Sequence, residues 1–300
     1  MTEKNKIEIL REKINEADAI VVGGASGMSA ASGFRWYYED DDDYKEIAGG
    51  LREKYKDYNS FDLFYDRRLT RGELWALNLR SIKKIYEAPT GETYTDLADL
   101  LRGKNYYIVT TNQDAQFFRV FPEDRITRLQ GDWRYFQVKS GLYDKLYYNK
   151  ELVYKLLPEI KNDSLPEHLI PHSVDTGEEL DGWVRSPRFL QGKDYEREFE
   201  RYMNFLRANM NKKVLFLELG VGMMTPMFIK EPFMNMTYQW PKAFYATINP
   251  KHAIIPKEIA RKSLAIEDNI AFVLKELLGK DTSHLKREKG KDIFDSSKIY

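Results

Sequence analysis

The segment DAIVVGGASGMSAASG, residues 18–33, constrains the fold of this chain more than any other stretch. Its apolar run Ala19-Ile20-Val21-Val22 is too short for a helix and breaks at Gly23-Gly24 into small residues. A short unbroken apolar run bounded by glycine reads as a strand buried on both faces, the kind found inside a parallel sheet covered by helices. Glycines after such a strand permit a tight turn, and the small residues that follow open a helix whose first N–H groups can meet an anion. Turn chemistry by itself does not separate a phosphate-binding turn from a plain strand-to-helix turn.

Three further apolar runs, Tyr106–Thr110, Val214–Leu219 and 243–248, end in polar residues or glycine and read as buried parallel strands. Ile7, Leu10 and Ile14 lie at helical spacing near the start. So do Ile266, Ile270, Val273, Leu274 and Leu277 near the end, with Gly279 placed to cap that helix. Strand-turn-helix units at both ends predict an α/β fold, a Rossmann-like doubly wound parallel sheet. Residues 1–36, 89–131 and 186–300 are expected to form the sheet domain. Two stretches differ in texture and are expected to be insertions that build a smaller domain. One is 37–88, polar, aromatic and helical in pattern, opening with the acid run Glu39-Asp40-Asp41-Asp42-Asp43; the other is 132–185, loop-rich with short aromatic segments. The acid run is expected to be a solvated loop, with a cation site or a docking face as the other possibility. The charged, aperiodic tail 286–300 is expected to be loosely ordered. The stretch RITRLQGDW, residues 125–133, reads as a short strand ending at Gln130-Gly131. Locally, Gln130 is either a working residue at a strand end or the polar start of a turn.

Several function classes drop out. The chain has no cysteine, which removes disulfides, thiolate catalysis, Fe–S clusters and any Cys-based zinc site. A formal net charge of +0 gives no electrostatic footprint for nucleic acid or membrane partners. No run of about 18 apolar residues occurs, so no membrane helix is expected. The first residues lack a basic-then-apolar pattern, so no signal peptide is expected and the location is expected to be cytoplasmic. His168 and His172 are four apart, but Pro171 between them argues against a helix, and no metal site is expected. Gly23, Gly24 and Gly27 do not fit the G-x-G-x-x-G fingerprint, which disfavours an ordinary dehydrogenase. The 20 tyrosines exceed what a minimal core needs; packing accounts for them first, an aromatic ligand wall second.

The strand ends carry a resemblance. The segment from Gly24 to Arg35, GASGMSAASGFR, resembles the sirtuin signature G-A-G-I-S-x-x-S-G-I-P-D-F-R. Thr111-Asn112-Gln113-Asp114 resembles the sirtuin Q-N-I-D, and Leu129-Gln130-Gly131 falls where sirtuins carry histidine and glycine. Gly220-Val221-Gly222 sits where they carry G-T-S, and Ile248-Asn249 matches their I-N. The matches run in order over most of the chain. Ser26 is an inserted residue, the I-P-D segment is missing, and the four zinc-binding cysteines and the valine and F-G-E run that clamp an acylated lysine are absent. This combination is similar to the class M sirtuins, the branch linked to macrodomain proteins. The resemblance implies NAD as co-substrate, no zinc, and transfer of ADP-ribose to a protein acceptor with release of nicotinamide. It further implies a lipoyl-carrier protein as acceptor and a functional link to a macrodomain hydrolase. An NAD glycohydrolase and a catalytically silent NAD or ADP-ribose sensor are the alternatives; an ordinary lysine deacylase ranks below them.

The resemblance also assigns residues. It implies NAD contacts from Gly24, Ala25, Ser26, Met28, Phe34, Arg35, Gln113, Gly220, Gly222, Ile248 and Asn249, so that the sheet domain is the NAD-binding one. It implies that Asn112 orders the NAD ribose and a water near C1′, where an Asx-turn is the plainer reading. Asp114 would bind the nicotinamide-side ribose or orient Asn112, with a turn acid as competitor. Arg185, with Arg188 nearby, would stabilise a carboxylate or phosphate at the cleft, with a solvated arginine as competitor. Gln130 is the informative difference. A histidine takes a proton near neutral pH, and a glutamine amide only donates or accepts hydrogen bonds. Losing a general base costs roughly two to four orders of magnitude in a step that needs one. Cleavage of the nicotinamide bond depends more on positioning and charge stabilisation. Gln130 therefore selects against deacylation and leaves ADP-ribosyl transfer open.

Overall fold

The computed structural model describes residues 3–285 and 287, so the expectation for 286–300 falls, apart from Arg287, outside the described residues. Nine strands are present among them. They are β1 (Ala19–Gly24), β2 (Tyr106–Thr110), β3 (Ile126–Arg128), β4 (Gly131–Val138), β5 (Tyr147–Tyr148), β6 (Leu180–Val184), β7 (Val214–Leu219), β8 (Phe244–Ile248) and β9 (Ser263–Ile266). Six of them form one sheet in the order β3-β2-β1-β7-β8-β9, parallel throughout. The chain is thus a Rossmann-like doubly wound α/β protein with a second, smaller antiparallel sheet, β5-β4-β6. Strand order reverses between β1 and β7, the switch point where such sheets open a crevice at their C-terminal edge.

The parallel strands read as unbroken apolar runs because both faces are covered. Along β1, Ile20 and Val22 face one core with Leu10, Ile14, Ile108, Leu217, Val273 and Leu277. Ala19 and Val21 face the other, with Tyr107, Val109, Phe216 and Phe233. Each such side chain contributes about 1.5–3 kcal/mol through burial. The register aligns Gly24 with Thr110 and Leu219, and Ile248 with Leu219 and Ile266, so the loops after these strands meet at one edge.

One expectation needs correction. Ile266 does not belong to the last helix; it ends β9, and the helix runs Ile270–Leu278. Asn269 sets the start, its side chain accepting the Ala271 N–H at 2.9 Å, and Gly279 ends it with φ of 67°. The stretch 132–185 is loop-rich, and β4, β5, β6 and the helix Lys150–Leu156 lie in it or at its edge. Polar and aromatic residues alternate along GDWRYFQV, and a register shift between Gly131 and Phe136 breaks the simple strand pattern. Phe136, Val138 and Leu180 of this sheet share a core with Trp75, Leu79 and Ile82 of the helix Arg71–Glu87. That helix starts in a capping box formed by Thr70 and Glu73.

The acid run is consumed internally. Asp41 caps the helix Asp42–Ala48 by accepting the Tyr44 N–H at 2.7 Å. Asp40 pairs with Arg52, Asp42 with Lys45, Asp43 with Lys84, and Glu39 with Arg35. Among the described residues no helix is long and apolar enough to cross a membrane.

Candidate active site

The crevice at the switch point is built from two turns that touch backbone to backbone. After β1 the chain enters the short helix Ser26–Ala31, and after β7 it turns at Gly220, whose φ is +68°. Ala25 N–H donates to the Leu219 carbonyl at 3.1 Å, and Gly27 N–H to the Gly220 carbonyl at 3.2 Å. A Cβ on Gly27 would stand 2.6 Å from the Gly220 Cα, and backbone cannot swing aside as a side chain can. Gly27→Ala is therefore expected to cost about 1–3 kcal/mol of stability by overpacking. It should weaken binding of the NAD that the sirtuin resemblance implies by about tenfold or more, since 1.4 kcal/mol of misfit at the crevice is a factor of ten. Urea unfolding and calorimetric titration of NAD check this, and parental values in both would refute the contact's importance.

The β2 turn brings in the polar groups. Thr110 Oγ1 donates to the Gly24 carbonyl at 2.9 Å and accepts the Asn112 N–H at 2.9 Å. The Asn112 side-chain Nδ2 faces the Ala25 carbonyl at 3.0 Å, Ser29 Oγ at 3.0 Å and the Tyr94 hydroxyl at 3.1 Å. The Ser29 hydroxyl donates to Asp114 Oδ2, and the Gln116 N–H donates to Asp114 Oδ1 at 3.1 Å. Burial pushes the Asp114 carboxyl above the usual carboxylate range, and the Ser29 and Gln116 donors pull against that rise.

The β3 turn places Gln130 beside this group. Its backbone carbonyl accepts from Gln113 Nε2 at 3.1 Å and from Arg185 N–H at 3.0 Å. Gly131, with φ of +83°, must lack a side chain, because a Cβ would stand 2.0 Å from the Trp183 carbonyl. The Gln130 side chain is half-buried and has no hydrogen-bond partner among the described residues. Arg185 is drawn to the same turn: its Nη2 donates to the Leu129 carbonyl at 2.9 Å and to Tyr195 Oη at 3.2 Å. Its guanidinium lies 4.4 Å from the Phe189 ring centroid and 5.2 Å from that of Phe228. On either side of Gln130, Arg128 and Asp132 enter a buried ionic cluster. Arg128 Nε donates to Glu198 at 3.0 Å, Arg128 Nη1 to Asp132 at 3.2 Å, and Arg134 Nη2 to Asp132 at 2.6 Å. Burial opposes ionisation of Asp132, but Arg134 and Arg128 more than offset it and hold its carboxyl below the usual range.

No protein-family model matches the chain. Solved sirtuins share its fold. One, from work on the structural basis of sirtuin substrate affinity, superposes with a TM-score of 0.58 at 16% identity, covering 91% of this chain and 97% of that one. A Sir2 homologue in complex with ADP-ribose gives 0.55 at 17% identity, covering 91% and 95%. In sequence, the chain is 31% identical over 288 residues to a protein ADP-ribosyltransferase of Staphylococcus aureus (strain Mu50 / ATCC 700699), spanning 94% of this chain and 90% of that protein. The chain belongs to the sirtuin-type, NAD-dependent protein ADP-ribosyltransferases. A further relative, a probable bifunctional ADP-ribose hydrolase/ADP-ribosyltransferase of Fusarium oxysporum f. sp. cubense, is 24% identical over 240 residues, 77% of this chain and 40% of that protein.

In this transferase, Asn112, Gln113, Asp114, Gln130 and Arg185 come together on the β2–β3 side of the crevice. Ala25 and Gly220 lie at the switch point, and Gly222 has open space where a Cβ would be. Ser26 Oγ is 3.5 Å from the Tyr38 hydroxyl, and Phe34 lies against Gly91. Arg35 pairs with Glu39 at 3.1 Å. Other side chains point away from open space or are already engaged. The place beside Gly24 is filled by the Phe117 ring, and Met28 and Ile248 are buried in the core. Asn249 ties two turns together, its Nδ2 donating to the Val221 carbonyl at 3.1 Å and its Oδ1 accepting from the Lys251 and His252 N–H groups. Arg188, His168 and His172 are exposed, and no group of three or more His, Asp or Glu among the described residues could hold a metal ion. Reasoning from sequence missed Ser29 as a working residue, although it stands in the quoted motif. It also missed Tyr94, Gln116 and Glu198, which reach the site only through tertiary packing.

Proposed function

We propose that this transferase moves ADP-ribose from NAD onto a lipoyl-carrier protein, with residues 1–36, 89–131 and 186–300 as the NAD-binding domain and 37–88 and 132–185 as the smaller one. The observation that carries the reading is Gln130: a non-titrating amide with no side-chain partner among the described residues, held next to the Asn112-Gln113 turn by bonds from Gln113 and Arg185 to its own backbone carbonyl. Two features support a dinucleotide as ligand. The two turns meet backbone to backbone at Gly27 and Gly220, and polar groups gather on one side of the contact.

NAD supplies a nicotinamide leaving group at C1′ of its ribose, so that bond cleavage leaves an electron-poor carbon for an acceptor to attack. The chain's residues contribute position and charge. Asn112 and Gln130 present amide groups that orient ribose hydroxyls, and the Asp114 carboxyl group, itself hydrogen-bonded to Ser29 and the Gln116 N–H, stands behind them. No histidine stands in this group, which suits a single transfer better than the two-stage deacylation. Arg185, committed to the Leu129 carbonyl and to Tyr195, serves by shaping the Gln130 turn. The reading includes a cytoplasmic setting and a macrodomain hydrolase that reverses the modification. The Fusarium relative, whose name joins both activities, supports that pairing.

The test is incubation with NAD labelled in its ADP-ribose part and a lipoylated carrier protein. Label on the carrier with stoichiometric nicotinamide is the expected result. Free ADP-ribose without protein labelling makes the chain a glycohydrolase, NAD binding without turnover makes it a sensor, and robust deacetylation of an acetyl-lysine peptide sinks the argument from Gln130.

A further inference from the structure

Tyr94 sits on the helix Glu92–Leu100, outside every motif of the crevice, and its ring is completely buried. The ring packs edge-on against Phe117, with centroids 4.8 Å apart, and Phe117 in turn fills the space that Gly24 leaves by having no side chain. This packing delivers the Tyr94 hydroxyl to 3.0 Å from Ser29 Oγ and 3.1 Å from Asn112 Nδ2.

The hydrogens of this group can be counted. Both Asp114 oxygens accept, one from Ser29 and one from the Gln116 N–H, so the single Ser29 proton is committed. Ser29 Oγ must then accept from its other neighbours, the Tyr94 hydroxyl and Asn112 Nδ2. A third acceptor, the Ala25 carbonyl, faces the same Nδ2 at 3.0 Å. Rotating the amide by half a turn would set Asn112 Oδ1 against a carbonyl that has no proton to give, and would strip two hydroxyls of a donor. The amide is therefore locked in one sense. Its Oδ1 accepts nothing among the described residues and is left for the crevice.

We propose that Tyr94, acting through Ser29, is a positioning residue for ADP-ribosyl transfer, fixing Asn112 with its carbonyl oxygen turned to the crevice. The inference rests on the transfer reading above and adds a direction to it. Asn112 then acts on bound ligand as a hydrogen-bond acceptor, with the negative end of its dipole where positive charge develops at C1′. A freely rotating amide would spend part of its time with Nδ2 outward and would oppose that charge.

The test uses the full chain carrying Tyr94→Phe, which keeps the ring on Phe117 and removes only the hydroxyl. Nicotinamide release is expected to show kcat lowered about tenfold, the worth of one buried hydrogen bond in the transition state, and KM for NAD within about twofold of the parent. A parental kcat, or a raised KM with kcat kept, overturns the proposal, the second by making Tyr94 a binding contact. A second measurement does not depend on turnover. In the parent, the two Asn112 side-chain amide protons should exchange with solvent more slowly than those of an exposed asparagine, and Tyr94→Phe should speed that exchange. Exposed-type exchange in the parent overturns the proposal whether or not the enzyme turns over. A parent that fails to release nicotinamide while its Asn112 amide is protected removes the transfer reading and leaves the locked amide standing.

Discussion

Gln130→Ala is expected to lower ADP-ribosyl transfer about a hundredfold, the usual scale for removing one preorganised hydrogen-bonding group from an active site. Unfolding free energy should stay within about 0.5 kcal/mol of the parent. The separation of the two effects follows from how Gln130 is held. Its backbone carbonyl takes the Gln113 and Arg185 donors, and its side chain has no partner among the described residues. Truncation to alanine thus removes no internal bond, and Gly131 still makes the turn. What is lost is a half-buried amide with no partner among the described residues, and on the proposed reading its contribution appears only with ligand present. The effect should fall on kcat more than on KM if the amide acts where charge develops, and on KM alone if it merely holds the ground state. Single-turnover labelling from NAD, with urea unfolding of the same sample, reads both. Transfer within threefold of the parent would show that Gln130 is only the polar start of a turn. Gln130→His brings in a titrating group, and a gain of deacetylase activity from that change alone would show that the acyl-lysine channel survives.

Much of the sheet was legible because parallel strands buried on both faces cannot hide. Ala19–Gly24, Tyr106–Thr110 and Val214–Leu219 are near-continuous apolar runs, broken in the last by the buried Glu218, and their ends mark the edge where ligands bind in such sheets. The edge strand Ser263–Ile266 and the antiparallel strand Gly131–Val138 were not legible. The edge strand is four residues long with alternate positions only half-buried, and Ile266 happened to fall in phase with the helix that begins at Ile270. In the antiparallel strand the polar Asp132 and Gln137 are buried, satisfied by partners that lie far off in sequence or on buried arginines. The same difference governs the site. Asn112, Asp114 and Gln130 follow strands and could be found by looking just past strand ends. Tyr94 lies inside a helix whose pattern says only that Tyr94 and Leu97 face a core. Its hydroxyl acquires a role from Ser29, 65 positions away in sequence, and no local signal encodes that meeting.

Arg128→Ala is expected to be the most destabilising of these changes, at about 3–5 kcal/mol, because it leaves a buried charge without its partner. The Arg128 and Glu198 side chains are each only 5% exposed, and the guanidinium is the counter-ion in direct contact with the Glu198 carboxylate. Asp132 would keep Arg134 at 2.6 Å; among the described residues, the Glu198 carboxylate would keep only the backbone N–H of residue 128, at 3.0 Å. The loss is not one of charge alone. The Arg128 guanidinium also lies about 5 Å from the ring centroids of Phe118, Tyr135 and Trp183, at 5.1, 5.2 and 4.9 Å, and a cavity among three aromatic rings adds its own cost. Replacing both partners by apolar residues of similar volume, Arg128→Met with Glu198→Met, should recover most of the stability, since a buried pair and an apolar pair of equal volume are often close in free energy. Urea unfolding of the parent, the single and the double variant measures this directly. A single substitution costing under 1 kcal/mol would mean that water already reaches the pair. The double variant carries the functional question further. Arg128 is two residues before Gln130 and Asp132 two after, so the ionic cluster clamps both ends of the turn that presents the amide. If the double variant folds as well as the parent and transfers ADP-ribose as fast, the bonds from Gln113 and Arg185 suffice to place Gln130. If it folds and transfers more slowly, the buried charges are kept for the geometry they impose on the turn, and stability is the lesser reason for their presence.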